Sequence, residues 1–257
     1  MDKEKVMQEY NKYERKNINA FNGTILTTRE VVKFVSDDTF GSYISYFDFS
    51  EEKMLNVIHN ELEFFRQRNI YFEWKMYSTD SPCTLDKALV DNGFTSEGTE
   101  SFMALDLHNI IISDCSHSAI TEVYNSSGIR DAIEVQEQVW GKNLEWQYHY
   151  LLKLKSEVPE DISIYVVYIN EQPVASAWVT FNAGSPFAGI WGGSTLKAFR
   201  NKGYYTMLLN IRIHEAIKRG KQYLIIDASD MSRPIVEKYG FEFIATTTGF
   251  VSPRTVK

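Results

Sequence analysis

The residues whose types and spacing could bind a phosphate lie at positions 194–209, in the segment STLKAFRNKGYYTMLL. A polar, basic loop with Arg200, Lys202 and Gly203 runs directly into an apolar helical pattern that includes Met207. A helix N-terminus offers free backbone N–H groups and the positive end of the helix dipole, and a glycine lets the backbone approach an anion closely. The segment therefore predicts a site for a phosphate-bearing cofactor.

The elements on either side of this loop agree with that prediction. A strand-like run, FAGIWGGS, precedes the loop at 187–194, and another, YLIID, follows the helix at 223–227. Gly192 and Gly193 interrupt the first run, and glycine inside a strand usually marks a β-bulge or a close backbone approach. The order strand, loop, helix, strand is typical of a nucleotide-type cofactor site.

Three motifs in the second half of the chain resemble those of the GNAT N-acetyltransferase superfamily. Arg200 and Gly203 match its motif A, in which Arg or Gln is followed by two residues, Gly, one residue, and Gly or Ala. Tyr205 stands at that last position and departs from the pattern. The segment SRPIVEKYGF (232–241) is similar to the motif B helix, and EQPVASAWV (171–179) is similar to the β2–β3 hairpin. The resemblance covers roughly residues 119–252.

This resemblance implies acetyl-coenzyme A as co-substrate. Its pyrophosphate would be held by backbone amides of the loop and by the charges of Arg200 and Lys202, and backbone amides after the glycine pair would polarise its acyl carbonyl. No metal is implied. The cofactor-binding residues predicted in this way are Ser194, Thr195, Leu196, Arg200, Asn201, Lys202, Gly203, Tyr204, Tyr205 and Thr206.

The activity implied is direct transfer of an acetyl group to an amine, carried by a small molecule or a peptide, in a ternary complex. Many family members supply the acid from a tyrosine four residues before the Gly of Gly-Phe, and this chain has Val236 there. Ser229 and Ser232 could instead orient a water or the thiol, or they could simply cap the helix. Asp227 and Glu137 are candidate bases, each equally interpretable as a surface or capping carboxylate. The alternative function is a non-catalytic coenzyme A-binding or regulatory protein.

The same supersecondary unit occurs twice along the chain. A strand at 70–77 leads to a helix that ends at Gly93-Phe94, and a strand at 222–228 leads to a helix that ends at Gly240-Phe241. We therefore predict an α+β (mixed α/β) fold of two GNAT-like lobes. Each lobe would be a twisted mixed, largely antiparallel sheet flanked by helices. Residues 1–112 would form a degenerate N-terminal lobe and residues 113–257 the acetyltransferase domain.

The N-terminal lobe is not expected to bind the cofactor. The stretch before its long helix, residues 43–53, has three carboxylates and no glycine. Acidic side chains at a helix N-terminus stabilise the helix, but they repel a pyrophosphate.

Composition excludes several other classes of protein. A net charge of −7 argues against bulk binding to nucleic acid or to an anionic membrane. The two cysteines and five histidines show no metal-ligand spacing. A Walker phosphate loop and a Gly-x-Gly-x-x-Gly dinucleotide fingerprint are both missing. With no apolar signal core or membrane-spanning run, we expect a cytoplasmic protein, and a homodimer is left open.

Overall fold

The computed structural model describes residues 1–19, 21–108, 110 and 119–254. Within these ranges the chain forms two compact units. The first unit combines Met1–Ala104 with Asp227–Lys257, and the second unit is Leu105–Ile226. The predicted domain boundary between residues 112 and 113 lies outside the described residues.

The described residues form a mixed α/β fold, as the sequence predicts. The helices are α1 (Lys3–Tyr10), α2 (Met54–Arg66), α3 (Leu85–Asp91), α4 (Ser126–Trp140), α5 (Glu145–Glu157), α6 (Tyr204–Lys218) and α7 (Arg233–Glu237). The strands are β1 (Gly23–Thr27), β2 (Val31–Ser36), β3 (Ser42–Phe47), β4 (Phe72–Tyr77), β5 (Thr95–Asp106), β6 (Ile120–Glu122), β7 (Ile162–Ile169), β8 (Gln172–Phe181), β9 (Phe187–Thr195), β10 (Tyr223–Ala228) and β11 (Glu242–Val251).

The strands of the first unit follow the order β1, β2, β3, β4, β11, β5. Strand β3 is parallel to β4, and β11 is antiparallel to both β4 and β5. A strand from late in the sequence therefore lies between two strands from the first half. The apolar core beneath this sheet includes Trp74, Phe72, Phe65 and Ile58.

The repeated Gly-Phe pair has the same local structure in both places. Gly93 follows α3 and Gly240 follows α7, and each has a φ of 87°. In this left-handed conformation a glycine ends a helix without steric strain. Phe94 and Phe241, which come next, are both buried. The pair therefore ends the helix and places a buried Phe after it at both positions.

The strands of the second unit follow the order β10, β9, β8, β7, β6. Strands β6 to β9 are antiparallel to their neighbours, whereas β9 and β10 are parallel. The parallel pairing joins Phe187–Gly189 of β9 to Tyr223–Ile225 of β10 and goes no further, although β9 continues to Thr195. The two strands therefore separate beyond Gly189.

Candidate functional site

The loop that precedes α6 has the backbone shape of an anion-binding turn. Asn201 and Gly203 both have positive φ angles, of 61° and 84°. Gly203 is the N-cap residue of α6, and no side chain caps this helix within the described part of the chain. A Cβ atom built on Gly203 would meet nothing within 4 Å, so the space beside this residue is open.

The donors at this helix end suit a diphosphate group. The first N–H groups of an α-helix have no partner inside the helix, and here these belong to Tyr204, Tyr205 and Thr206. The N–H of Met207 is the first to be bonded, to the Gly203 carbonyl at 3.0 Å. The first turn of α6 contains no acidic residue. Positive dipole, free amides and basic neighbours together fit the phosphate groups of a coenzyme A molecule.

The charged side chains of the loop are exposed. Arg200 also has a structural contact, since its Nε donates to the Thr195 carbonyl at 3.2 Å. The ammonium of Lys202 lies 5.0 Å from the centre of the Phe199 ring. Both side chains can reach a bound anion only from the solvent side of the loop.

A β-bulge interrupts β9 immediately before this loop, as predicted from the glycine pair. Trp191 pairs with Trp178 of β8 and Ser194 pairs with Ser176, so two residues of β9 face one residue of β8. The two β9 residues at the bulge are Gly192 and Gly193. Gly192 has a φ of 59°, and a Cβ atom there would lie 2.0 Å from the Trp178 ring. Only glycine fits at this position.

The directions of the backbone N–H groups after the bulge reduce the number of amides that could contact the acyl group. The Leu196 N–H donates to the Val174 carbonyl of β8 at 2.9 Å. Backbone groups of a strand alternate in direction, so the Ser194 N–H also faces β8, whereas the Thr195 N–H faces the opposite side. We therefore drop the amides of Ser194 and Leu196 from the expected acyl contacts. Thr195 remains, and its buried Oγ1 has no hydrogen-bond partner among the described residues.

The side chain of Gln136 on α4, which the sequence analysis did not single out, holds the bulge from one side. Its Nε2 donates to the Gly192 carbonyl and, at 2.8 Å, to the Ser176 hydroxyl. Its Oε1 accepts from the Ser194 hydroxyl at 2.8 Å. Gln136 is only 3% exposed. Gln136 lies on the same helix face as the apolar residues Ile129, Ala132 and Ile133. A polar residue on the apolar face of a helix is a signal that could have identified it.

Arg212 on α6 approaches the bulge from the other side, and it was also missed. Its side chain is 1% exposed, its Nε donates to the Leu208 carbonyl at 2.8 Å, and its Nη1 lies 3.4 Å from the Trp191 carbonyl. Nη2 has no hydrogen-bond partner among the described residues. Burial lowers the pKa of Arg212 to about 10, against the opposing effect of Tyr205. The guanidinium therefore stays charged at neutral pH.

The predicted catalytic residues have other partners in the structure. The Ser229 and Ser232 hydroxyls lie 3.3 Å apart, and the Ser232 hydroxyl donates to the Ser229 carbonyl, in the turn that starts α7. Glu137 accepts from the N–H of Leu144, the residue before α5, at 2.8 Å. Val236 is fully buried. Catalytic roles for Ser229, Ser232, Asp227 and Glu137 stay predictions.

Asp227 forms an ion pair with Lys75 of β4, with 2.5 Å between Oδ2 and Nζ. Burial acts to lower the pKa of Lys75, but the Asp227 carboxylate and neighbouring groups outweigh it, and the pKa is raised. Burial raises the pKa of Glu73, and the charges of Glu97 and Asp227 add to this effect while Lys75 opposes it. Asp227 thus belongs to a group of titratable side chains in the first unit.

The strands of the first unit also separate, but the space between them is filled. Strands β3 and β4 pair only from Ser42–Phe72 to Ile44–Trp74. Beyond that point the Arg15 Nε donates to the Ser45 carbonyl at 2.8 Å, and the Ser45 hydroxyl donates back to the Arg15 carbonyl. The guanidinium makes two bonds to Asp80, of 2.7 and 2.8 Å. Arg15 therefore plugs the opening that corresponds to the one beside β9.

Comparison with known proteins agrees with the geometry. Residues 129–241 match the acetyltransferase (GNAT) family. A GCN5-related N-acetyltransferase from Kribbella flavida aligns with a TM-score of 0.67 and 14% identity, over 98% of this chain and 94% of that protein. A tandem GNAT protein from the clavulanic acid biosynthesis pathway gives a TM-score of 0.59 and 10% identity, over 88% and 79% of the two chains. A GCN5-related N-acetyltransferase from Sphaerobacter thermophilus gives 0.58 and 14%, over 97% and 84%.

No curated protein matches the sequence. Through residues 129–241 the chain is similar to the GNAT acetyltransferase family. The predicted GNAT-like fold is confirmed, including its likeness to a tandem member. In the described residues no helix is long and apolar enough to cross a membrane, and no three His, Cys, Asp or Glu side chains cluster as a metal site would require.

Proposed function

We propose that this protein is an acyl-coenzyme A-dependent N-acyltransferase, which moves an acetyl group from acetyl-coenzyme A to an amine in a ternary complex. The observation that carries the proposal is the uncapped N-terminus of α6 together with the bulged end of β9, which pairs with β8 but no longer with β10. Both lie inside the segment that matches the acetyltransferase family.

The chain's own residues suggest how the co-substrate would be held. Amides of residues 201–206 and the charges of Arg200 and Lys202 would bind the diphosphate. When bound, acetyl-coenzyme A supplies an activated thioester. The Thr195 N–H and the amides of the bulge are the donors that could polarise its carbonyl. The acceptor is expected to be a neutral amine on a small molecule or a peptide.

We further propose one coenzyme A site per chain. In the first unit the corresponding strand separation is filled by the buried Arg15 side chain, which is 2% exposed and bonded on three sides. The residues before α2, Glu51 and Glu52, add negative charge where a phosphate would have to lie. Neither feature occurs at the start of α6.

The binding part of the proposal can be tested at Gly203 with two variants of nearly equal size. Asn and Asp both tolerate the positive φ at this position better than most residues, so both variants should fold. The two side chains differ chiefly in charge, and the Asp carboxylate would repel an anion at this helix end. We expect the positive φ to cost both variants a similar amount of thermal stability. Gly203→Asp should lose coenzyme A binding in isothermal titration, while Gly203→Asn retains most of it. Equal affinities for the two variants would show that no anion binds here.

A regulatory coenzyme A-binding protein remains the second candidate, because Val236 is buried where a general acid tyrosine is expected. An assay that follows thiol release from acetyl-coenzyme A over a panel of amines separates the two. Turnover that depends on the amine supports the transferase. Tight binding without turnover supports the regulatory function, and Gly203→Asp should abolish either one.

A further inference from the structure

The bulge in β9 consists of two glycines, and glycine has no strong preference for one backbone conformation. Glycine loses more conformational freedom on folding than other residues, and a bulge leaves backbone groups unpaired. Adjacent strand residues face opposite sides of a sheet. Ser194 meets Gln136 of α4, and the side-chain position of Gly193 meets Tyr205 and Arg212 of α6, so these helices cover opposite faces at the bulge.

From the α4 side, a satisfied polar network fixes one peptide plane. Both hydrogens of the Gln136 amide are used, by the Gly192 carbonyl and the Ser176 hydroxyl, and its oxygen accepts from Ser194. The Ser176 hydroxyl in turn donates to the Ala132 carbonyl at 2.8 Å. Any rotation of the Gly192–Gly193 peptide would leave a buried group without its partner, which is costly.

From the α6 side, a buried cation faces the preceding peptide. Among the described residues, no carboxylate forms an ion pair with Arg212. Its guanidinium donates to the carbonyls of Leu208 and Trp191 and also interacts with the side chain of Tyr205. Keeping an unpaired charge in a core position costs free energy, and an apolar residue there would avoid that cost. A role in orienting the Trp191 carbonyl would explain why a charged residue is present at this position.

A trans peptide is planar, so its carbonyl and its N–H point in opposite directions. Tying the Gly192 carbonyl to Gln136 therefore directs the Gly193 N–H away from α4. Tying the Trp191 carbonyl to Arg212 likewise directs the Gly192 N–H away from the guanidinium. We infer that Gln136 and Arg212 are positioning residues that set the direction of the bulge amides, and through them the polarisation of the acyl carbonyl. The inference rests on the proposed acyl-transfer function.

The test uses variants that change chemistry more than size. Arg212→Met removes the charge and Arg212→Lys keeps it, while Gln136→Met removes the amide. We expect Arg212→Met and Gln136→Met to lower kcat by about 10²-fold, the scale of one lost oxyanion donor, with Kd for coenzyme A within about threefold of wild type. Arg212→Lys should recover part of kcat. Ser194→Ala, which removes one contact of Gln136, serves if Gln136→Met fails to fold, and it should lower kcat several-fold.

The matched control is Arg219→Met, at the other end of α6, where the guanidinium pairs with Glu215 at 2.7 Å. It should lose some stability and no kcat. Unchanged kcat in Arg212→Met, or a fall in kcat that follows thermal stability in all variants including the control, would overturn the inference.

Hydrogen exchange of residues 191–195 gives a readout that does not need turnover. It should become faster in Arg212→Met and Gln136→Met and stay unchanged in Arg219→Met. If wild type transfers no acyl group, the proposed function fails. The exchange result still decides whether these two side chains hold the bulge.

Discussion

The ring of Tyr205 occupies the space that any side chain at Gly193 would need. A Cβ atom on Gly193 would lie 2.9 Å from Cε2 of Tyr205. The family pattern has Gly or Ala at the position of Tyr205. In this chain the small residue is Gly193, on strand β9, which α6 packs against. A large residue can therefore stand at position 205 without displacing the start of α6, because the glycine on β9 leaves room for the Tyr205 ring.

This contact predicts that substitutions at Gly193 and Tyr205 have non-additive effects on stability. Gly193→Ala alone should destabilise the protein by about 1–3 kcal/mol, the usual cost of overpacking. Combined with Tyr205→Ala, the same change should cost much less, because the ring is gone. Urea unfolding of the four proteins in the cycle measures the coupling. Gly184→Ala is the control, since a Cβ atom there meets nothing within 4 Å.

Removal of the Arg200 side chain should weaken binding more than folding. We expect Arg200→Ala to reduce coenzyme A affinity by about 1–2 kcal/mol, the scale of a charge-assisted hydrogen bond to phosphate. The side chain is exposed, and its one bond to the Thr195 carbonyl is long, so thermal stability should change little. Lys197→Ala, in the preceding turn, is the comparison. A large drop in melting temperature with intact binding would make Arg200 a structural residue.

Two bidentate arginines of the first unit should differ greatly in their contribution to stability. Arg15 binds Asp80 in the interior, whereas Arg66 binds Glu63 on the surface of α2 with almost the same distances. Arg15→Met should lower the free energy of unfolding by about 3–5 kcal/mol, because it leaves a buried carboxylate unpaired. Arg66→Met should leave the free energy of unfolding almost unchanged, because both partners are exposed to solvent. Similar costs would mean that the Arg15 plug is not held by its ion pair.

Glu73 should make stability depend on pH in a definite direction. Its pKa is raised above the ordinary 4.5 on folding, so the native state holds the proton more tightly than the unfolded state. Its contribution is therefore fully present below about pH 4.5 and is lost as the pH rises through the folded-state pKa. Glu73→Gln should raise the denaturation midpoint at pH 7 and not at pH 4. Glu97→Gln, at an exposed position, should show a smaller difference, and equal gains at both pH values would contradict the expected protonation.

Local sequence signals predicted much of this fold. The helix ends at Gly93 and Gly240 and the bulge at Gly192 and Gly193 each depend on residues a few positions apart. The apolar pattern that includes Met207 likewise predicted a helix after the basic loop, where α6 lies. Such features are encoded where they occur in the chain.

Long-range features were not predictable in the same way. Nothing near residues 242–251 indicates that β11 pairs with β4 on one side and β5 on the other. The sequence also gave no indication that Arg15 would fill the gap beside β4. Among site residues, the loop before α6 was found from its glycine and charges. Gln136 and Arg212 were missed, because a single polar residue in an apolar stripe has many interpretations until its partners are known.

The position of β11 has a consequence for how the protein is made. The second unit is one continuous stretch, Leu105–Ile226, and it can fold as soon as that stretch has left the ribosome. Strands β4 and β5 emerge earlier, but they must wait, with exposed edges, until β11 is synthesised. During that interval these edges are the part of the nascent chain most open to mispairing. We therefore expect that translational pauses before residue 242 would lower the yield of soluble protein, even though every residue of the cofactor loop has already been made.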